Sequence, residues 1–207
     1  MTKSDAAPPA AGTPRMRRDT ARTRDRLLAT AGDLLAERGP TFSLPDLARA
    51  SGVATATVYR HFADVHEVFR EFYQRLADEL ATELAAAPAG LRGRDRFQWA
   101  CGRWVDLASG WGRAATRIRS PAGFLERVRT GDPLTSALHA VLEPIVAELI
   151  EDGACPAQEM DYAILVWITL FDERVIVDLA SALDWPGGRI TSMLSRSVLN
   201  ALGAHAT

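Results

Sequence analysis

The chain has 207 residues, with 24 Lys and Arg against 26 Asp and Glu, a formal net charge of −2 and 47% apolar residues. That length supports one large or two small domains with a proper core, and the composition excludes a collagen-like or wholly disordered chain. The longest apolar run, near Tyr162 to Phe171, is interrupted by Thr169 and closed by Asp161 and Asp172. It falls well short of the roughly 20 residues that cross a bilayer, so no membrane partner is expected. No apolar stretch follows the early basic residues in the manner of a secretory signal. Two cysteines, Cys101 and Cys155, make no disulfide scaffold and fit a reducing, cytoplasmic setting. Charge is unevenly spread: residues 1–75 hold 12 basic and 9 acidic side chains, residues 76–207 hold 12 and 17. A basic end on an acidic body suits a protein that meets a polyanion at one end only.

Residues 1–19, small and Pro-rich and then basic, are expected to form a disordered leader. From Arg22 a helical pattern begins, with Leu27, Leu28, Ala31, Leu34 and Leu35 on one face and Gly39-Pro40 as its stop. Ser43 with Asp46 three residues on reads as a capping box, and Pro45 falls in the first turn, where its missing N–H costs little. That short helix turns Leu44, Leu47 and Ala48 inward and ends near Ser51-Gly52. Thr55 to Phe62 is a third segment. A longer helix starts at the N-cap Asp64 and presents Val65, Val68, Phe69, Phe72, Leu76 and Leu80 before Pro88. Two short helices joined at a glycine, between two longer ones, have the layout of a helix-turn-helix, whose second helix enters the major groove.

The run FSLPDLARASGVATATVYRHF, Phe42 to Phe62, closely resembles the DNA-binding signature of the TetR family of bacterial regulators, and with its flanking helices the resemblance spans residues 20–84. It implies an operator of double-stranded DNA and a set of contacts. Thr55, Ala56 and Thr57 would meet base edges from the start of the recognition helix. Tyr59 and His61 would hold phosphates, and Arg60 would reach a guanine or a phosphate. Ser43 would add a phosphate contact, and Arg22 and the arm Arg15, Arg17 and Arg18 would add backbone or minor-groove contacts. Phe62 reads as core. The resemblance departs at Val65, where many members place a phosphate-binding Lys.

Residues 90–207 read as further helices, without a convincing strand, so the chain is expected to be all-α. Phe97, Cys101, Trp104, Ala108 and Trp111 share one helical face. A short segment is expected near Ala114 to Arg119 and another from Pro121 to Arg129. Asp132-Pro133 opens a helix that Pro144 should kink and Gly153 should end. A long helix is expected over Pro156 to Leu183. A last one, Pro186 to Leu202, would turn Ile190, Met193, Leu194, Val198, Ala201 and Leu202 inward. The resemblance implies that this half binds a small molecule and that its last two helices pair with a second subunit, giving a homodimer through residues 156–202 and a palindromic operator. Phe97, Trp104, Trp111, Phe124, Trp167 and Phe171, with His139, Arg103, Asp172 and Glu173, are the candidate pocket residues for a largely apolar effector. No cofactor, metal or catalytic motif is found: there is no G-x-S-x-G, P-loop, G-x-G-x-x-G, HExxH or CxxC. His61 and His66, five residues apart, are poorly placed to share a metal. The rival readings are a thiol-based redox sensor acting through Cys101 or Cys155, and a small helical enzyme.

Overall fold

The computed structural model describes residues 14–111, 114 and 122–204, with backbone alone for 14–17. Among them there are ten α-helices and no strand, as the apolar periodicity requires. The helices are α1 (Pro14–Arg38), α2 (Leu44–Ser51), α3 (Thr55–His61), α4 (Val65–Ala85), α5 (Gly93–Trp111), α6 (Phe124–Arg129), α7 (Pro133–Glu151), α8 (Met160–Leu170), α9 (Glu173–Ser181) and α10 (Gly187–Ala201). Helix α1 starts at Pro14, so residues 14–19 are helical instead of part of a leader. Residues 1–13 lie outside the described residues, as does most of the segment expected near Ala114 to Arg119.

The local signals fold as their chemistry dictates. Ser43 accepts from the Asp46 N–H while Asp46 accepts from the Ser43 N–H, a complete capping box. Gly52 ends α2 at φ 67°, in the left-handed region where a side chain is strained. Asp64 caps α4 by accepting from Glu67 N–H at 2.8 Å, and Asp132 caps α7 by accepting from Thr135 N–H at 2.9 Å. Helix α7 is long and apolar enough to span a bilayer by composition. In this fold it is a core helix, with Leu142, Ile145, Val146 and Leu149 fully buried.

The long helix expected over 156–183 is two. Phe171 closes α8 through its N–H on the Trp167 carbonyl, and Asp172 starts α9 by accepting from Arg174 N–H at 2.9 Å. A carboxylate able to cap a new helix ends the old one. Helix α10 also differs in detail: Ile190, Leu194, Val198 and Leu202 are buried, but Met193 and Ala201 face outward.

Two apolar clusters make the core. One joins Leu27, Leu28, Leu35, Phe42, Leu47, Val58, Phe62, Val68 and Phe69, together with Ala114. The other joins Leu80 and Leu84 to Phe97, Trp104, Leu142, Ile145, Trp167, Phe171 and Val198. Helix α4 therefore belongs to both: its first half closes the N-terminal cluster and its second half enters the larger one. The boundary expected after residue 84 falls at the end of this helix, one residue before its last, Ala85.

Candidate functional site

Helix α3 is short and held from one side. Val58, fully buried, and Phe62, 1% exposed, lie four residues apart and anchor it against α1, α2 and α4. Anchoring on that side turns the rest outward. Tyr59 is 55% exposed. Thr55, Ala56 and Arg60 are exposed, Thr57 and His61 half-buried, and Arg60 donates to the Thr57 hydroxyl at 3.1 Å. The face is small, hydroxylated and basic, and nothing in the described fold covers it. Arg22 is exposed on α1; the side chains of Arg15 and Arg17 lie outside the described residues. Ser43 is exposed, but its hydroxyl donates to Asp46 at 2.6 Å and accepts from the Asp46 N–H. Its one O–H donor is already committed to the capping box, and that bonding holds the Asp46 carboxyl below the usual carboxylate range. The His61 imidazole is held below its ordinary value, first by burial and then by the Arg24 and Arg60 charges, against a smaller opposing pull from Glu71.

Behind α3 stands a group that the sequence reading did not single out. Arg24 of α1 donates through Nε to both carboxylate oxygens of Glu71 on α4, at 2.7 and 2.9 Å, and through Nη2 to the same carboxylate. Its Nη1 donates to the backbone carbonyl of His61 at 2.7 Å, and the guanidinium lies 4.5 Å from the centre of the Phe62 ring. Glu67, 3.8 Å from Nη2, also accepts from the Ala63 N–H at 2.7 Å. Arg75 reaches back from α4 to Asp25 on α1 at 2.6 Å. The hydrogen bond to Glu71 holds the Arg24 guanidinium above even its usual range. A signal was present in the sequence: Arg24 falls on the stripe of Leu28, Ala31 and Leu35, and an arginine on a buried stripe requires a partner.

A cavity of about 500 Å³ opens in the C-terminal half. Trp104, Trp111, Phe124, Phe171, Asp172 and Glu173 line it, as the sequence reading expected. Phe97, Trp167 and His139 do not. Phe97 and Trp167 pack with tilted rings 4.7 Å between centres deep in the core, while His139 pairs with Asp161 at 3.0 Å and ties α7 to α8. Arg103 is also elsewhere, bound to Glu83 at 2.8 Å. The unforeseen wall is α4, which contributes Tyr73, Leu76, Ala77 and Leu80. Those positions read as ordinary core, because periodicity reports which face is inward and not whether the inside is filled. Arg127 lines the cavity with its charge engaged by Asp132 at 3.0 Å, and the indole N–H of Trp111 donates to Glu79 at 3.1 Å.

Residues 27–72 match the family model described as bacterial regulatory proteins, tetR family. The N-terminal domain is that of a TetR-family regulator. No curated protein matches the sequence. Among solved structures, a TetR family protein from Vibrio parahaemolyticus shares 23% identity at a TM-score of 0.63, covering 86% of this chain and 97% of its own. The transcriptional regulator FadR of Bacillus subtilis, in complex with stearoyl-CoA, shares 18% at 0.67, covering 87% and 99%. The TetR-like regulator LfrR of Mycobacterium smegmatis, in complex with proflavine, shares 20% at 0.60, covering 92% and 99%. The TetR-type fold thus extends beyond the helix-turn-helix through the C-terminal helices.

Proposed function

We propose that the protein is a cytoplasmic transcription repressor that binds a palindromic operator as a homodimer and leaves it when a small, largely apolar effector fills the cavity. The observation that carries this reading is the exposed face of α3, with Tyr59 turned outward while Val58 and Phe62 are buried. In the docked complex Thr55, Ala56 and Thr57 would read base edges, Arg60 a base or a phosphate, and Tyr59 and His61 the backbone. Arg22 would add a phosphate. With its hydroxyl committed to Asp46, Ser43 would contribute through neighbouring backbone N–H groups.

The effector half rests on the cavity. Its volume lies within the usual range of small-molecule sites, and its walls are mainly aromatic and aliphatic. Neighbours of the same fold are in complex with proflavine, with stearoyl-CoA and with resorcinol. Only an effector that prefers one arrangement over the other can shift the balance; a 100-fold release from DNA requires about 2.7 kcal/mol of coupling. The dimer rests on uncovered apolar side chains: Tyr162 (52% exposed) and Leu165 (36%) on α8, and Met193 (39%) on the adjacent α10. The thiol-sensor alternative has little support. Cys101 and Cys155 are both buried, and burial pushes both thiols above their ordinary range, Cys101 well above it. The reading is of a binding protein.

The test is to recover the DNA that the purified protein selects from genomic fragments and to screen compounds for release of that DNA. Trp104 and Trp111 fluorescence reports cavity occupancy. A shared inverted repeat in the selected fragments, and compounds that quench and release together, are the expected results. Selection of no common sequence overturns the regulator reading.

A further inference from the structure

Helix α4 performs two tasks along one rigid rod. Glu67 and Glu71, in its first two turns, hold Arg24, and Tyr73, Leu76, Ala77 and Leu80 form a wall of the cavity. From Glu71 to Leu80 is about 14 Å along the axis, all within one helix. The Arg24 guanidinium touches three elements at once: it is rooted in α1, forked onto Glu71 of α4, and bonded to the last carbonyl of α3 with Phe62 beneath it. A carbonyl at a helix C-terminus has no partner within its helix and carries the negative end of the dipole, so a cation there holds the helix as well as its charge.

We infer that Arg24 is the joint through which a displacement of α4 reaches the recognition helix, and that it is a positioning residue and not a phosphate contact. The inference rests on the proposed reading of the cavity and of α3. Its charge belongs to the basic N-terminal run, yet the carboxylates of Glu71 and Glu67 neutralise it in place. When α4 moves, either Glu71 draws the guanidinium off the His61 carbonyl or the carbonyl follows; in both cases the tilt of α3 changes. A lysine cannot make the same three contacts, because only the planar fork spans a carboxylate and a carbonyl together.

The test uses the full chain and the DNA it selects, titrated by anisotropy across a range of salt. Arg24→Gln is expected to weaken binding by about tenfold or more with the salt slope unchanged, and Arg24→Lys to fail as a rescue. Glu71→Gln, nearly isosteric, should weaken binding less, and the double variant should be markedly non-additive. A slope shallower by about one unit would place Arg24 on a phosphate and overturn the inference. Additive losses would overturn it as well. Ala77→Trp, which fills the cavity from α4, replaces the unidentified effector. It should weaken DNA binding in the native chain and have much less effect once Arg24 is glutamine. Equal losses in both backgrounds would break the proposed link. If Ala77→Trp leaves DNA binding intact while the Arg24–Glu71 cycle stays coupled, the cavity reading falls and Arg24 remains only a strut. Thermal unfolding of each variant separates loss of fold from loss of position.

Discussion

His61 closes α3 under three charges. Arg24 and Arg60 disfavour its protonation and Glu71 favours it, while burial, the largest influence, disfavours it. The free protein therefore keeps this imidazole neutral to a lower pH than an unfolded chain does. The sign for stability follows. Below the ordinary imidazole value of about 6.5 the unfolded state takes a proton that the fold refuses, so stability falls as pH drops through that window. DNA binding should move the other way. A phosphate beside His61 raises its affinity for the proton, so binding takes up protons and tightens as pH falls from about 7.5 towards 6. Titrations at fixed salt over that range should show the gain, and His61→Gln should flatten it. A pH-independent affinity in the native chain would take His61 off the phosphate backbone.

At the scale of single elements, the turn between α2 and α3 shows how closely local chemistry and function are tied. Gly52 sits at φ 67° with open space around its missing Cβ. Gly52→Ala therefore meets no clash, and its cost is that of the left-handed conformation, about 1–2 kcal/mol. Chemical unfolding should read that loss, and because the turn sets the angle between the two helices, DNA affinity should fall with it. This element was legible beforehand: capping box, glycine stop and buried stripe all appear in the residues from Phe42 to Phe62. The break at Phe171 and Asp172 was less so. A helix apolar on several faces looks continuous, and Asp172 as a cap carries weight only once the following chain is seen to restart. The α4 wall of the cavity was not legible at all, since Leu76 and Leu80 repeat at core spacing whether they face a packed interior or an empty one. Arg24 was partly legible, from its place on the Leu28 stripe, but its partner Glu71 lies 47 residues away on a different helix.

For the molecule as a whole, the proposed function has one α3 reading only a few base pairs, and specificity among many competing sites would then require two such helices at a fixed separation, about 34–36 Å or a multiple of it. A two-fold axis supplies that only if both subunits present the same patch. Tyr162 and Leu165 are exposed on α8, and Met193 is exposed on α10, which packs against α8. In an isolated protomer Tyr162→Glu and Met193→Glu replace side chains already 52% and 39% exposed, so each should change protomer stability by no more than about 0.5 kcal/mol. Across a two-fold axis the same two changes place four carboxylates in one apolar seam. Sedimentation at micromolar concentration should then show monomer, and affinity for the full inverted repeat should drop by about 100-fold or more, because the second recognition helix no longer arrives with the first. Affinity for a single half-site should stay unchanged, since α3 packs on the N-terminal apolar cluster and α8 and α10 on the other. A double variant that still sediments as a dimer and still grips the full repeat would move the interface away from α8 and α10, and with it the route by which the two reading helices are spaced.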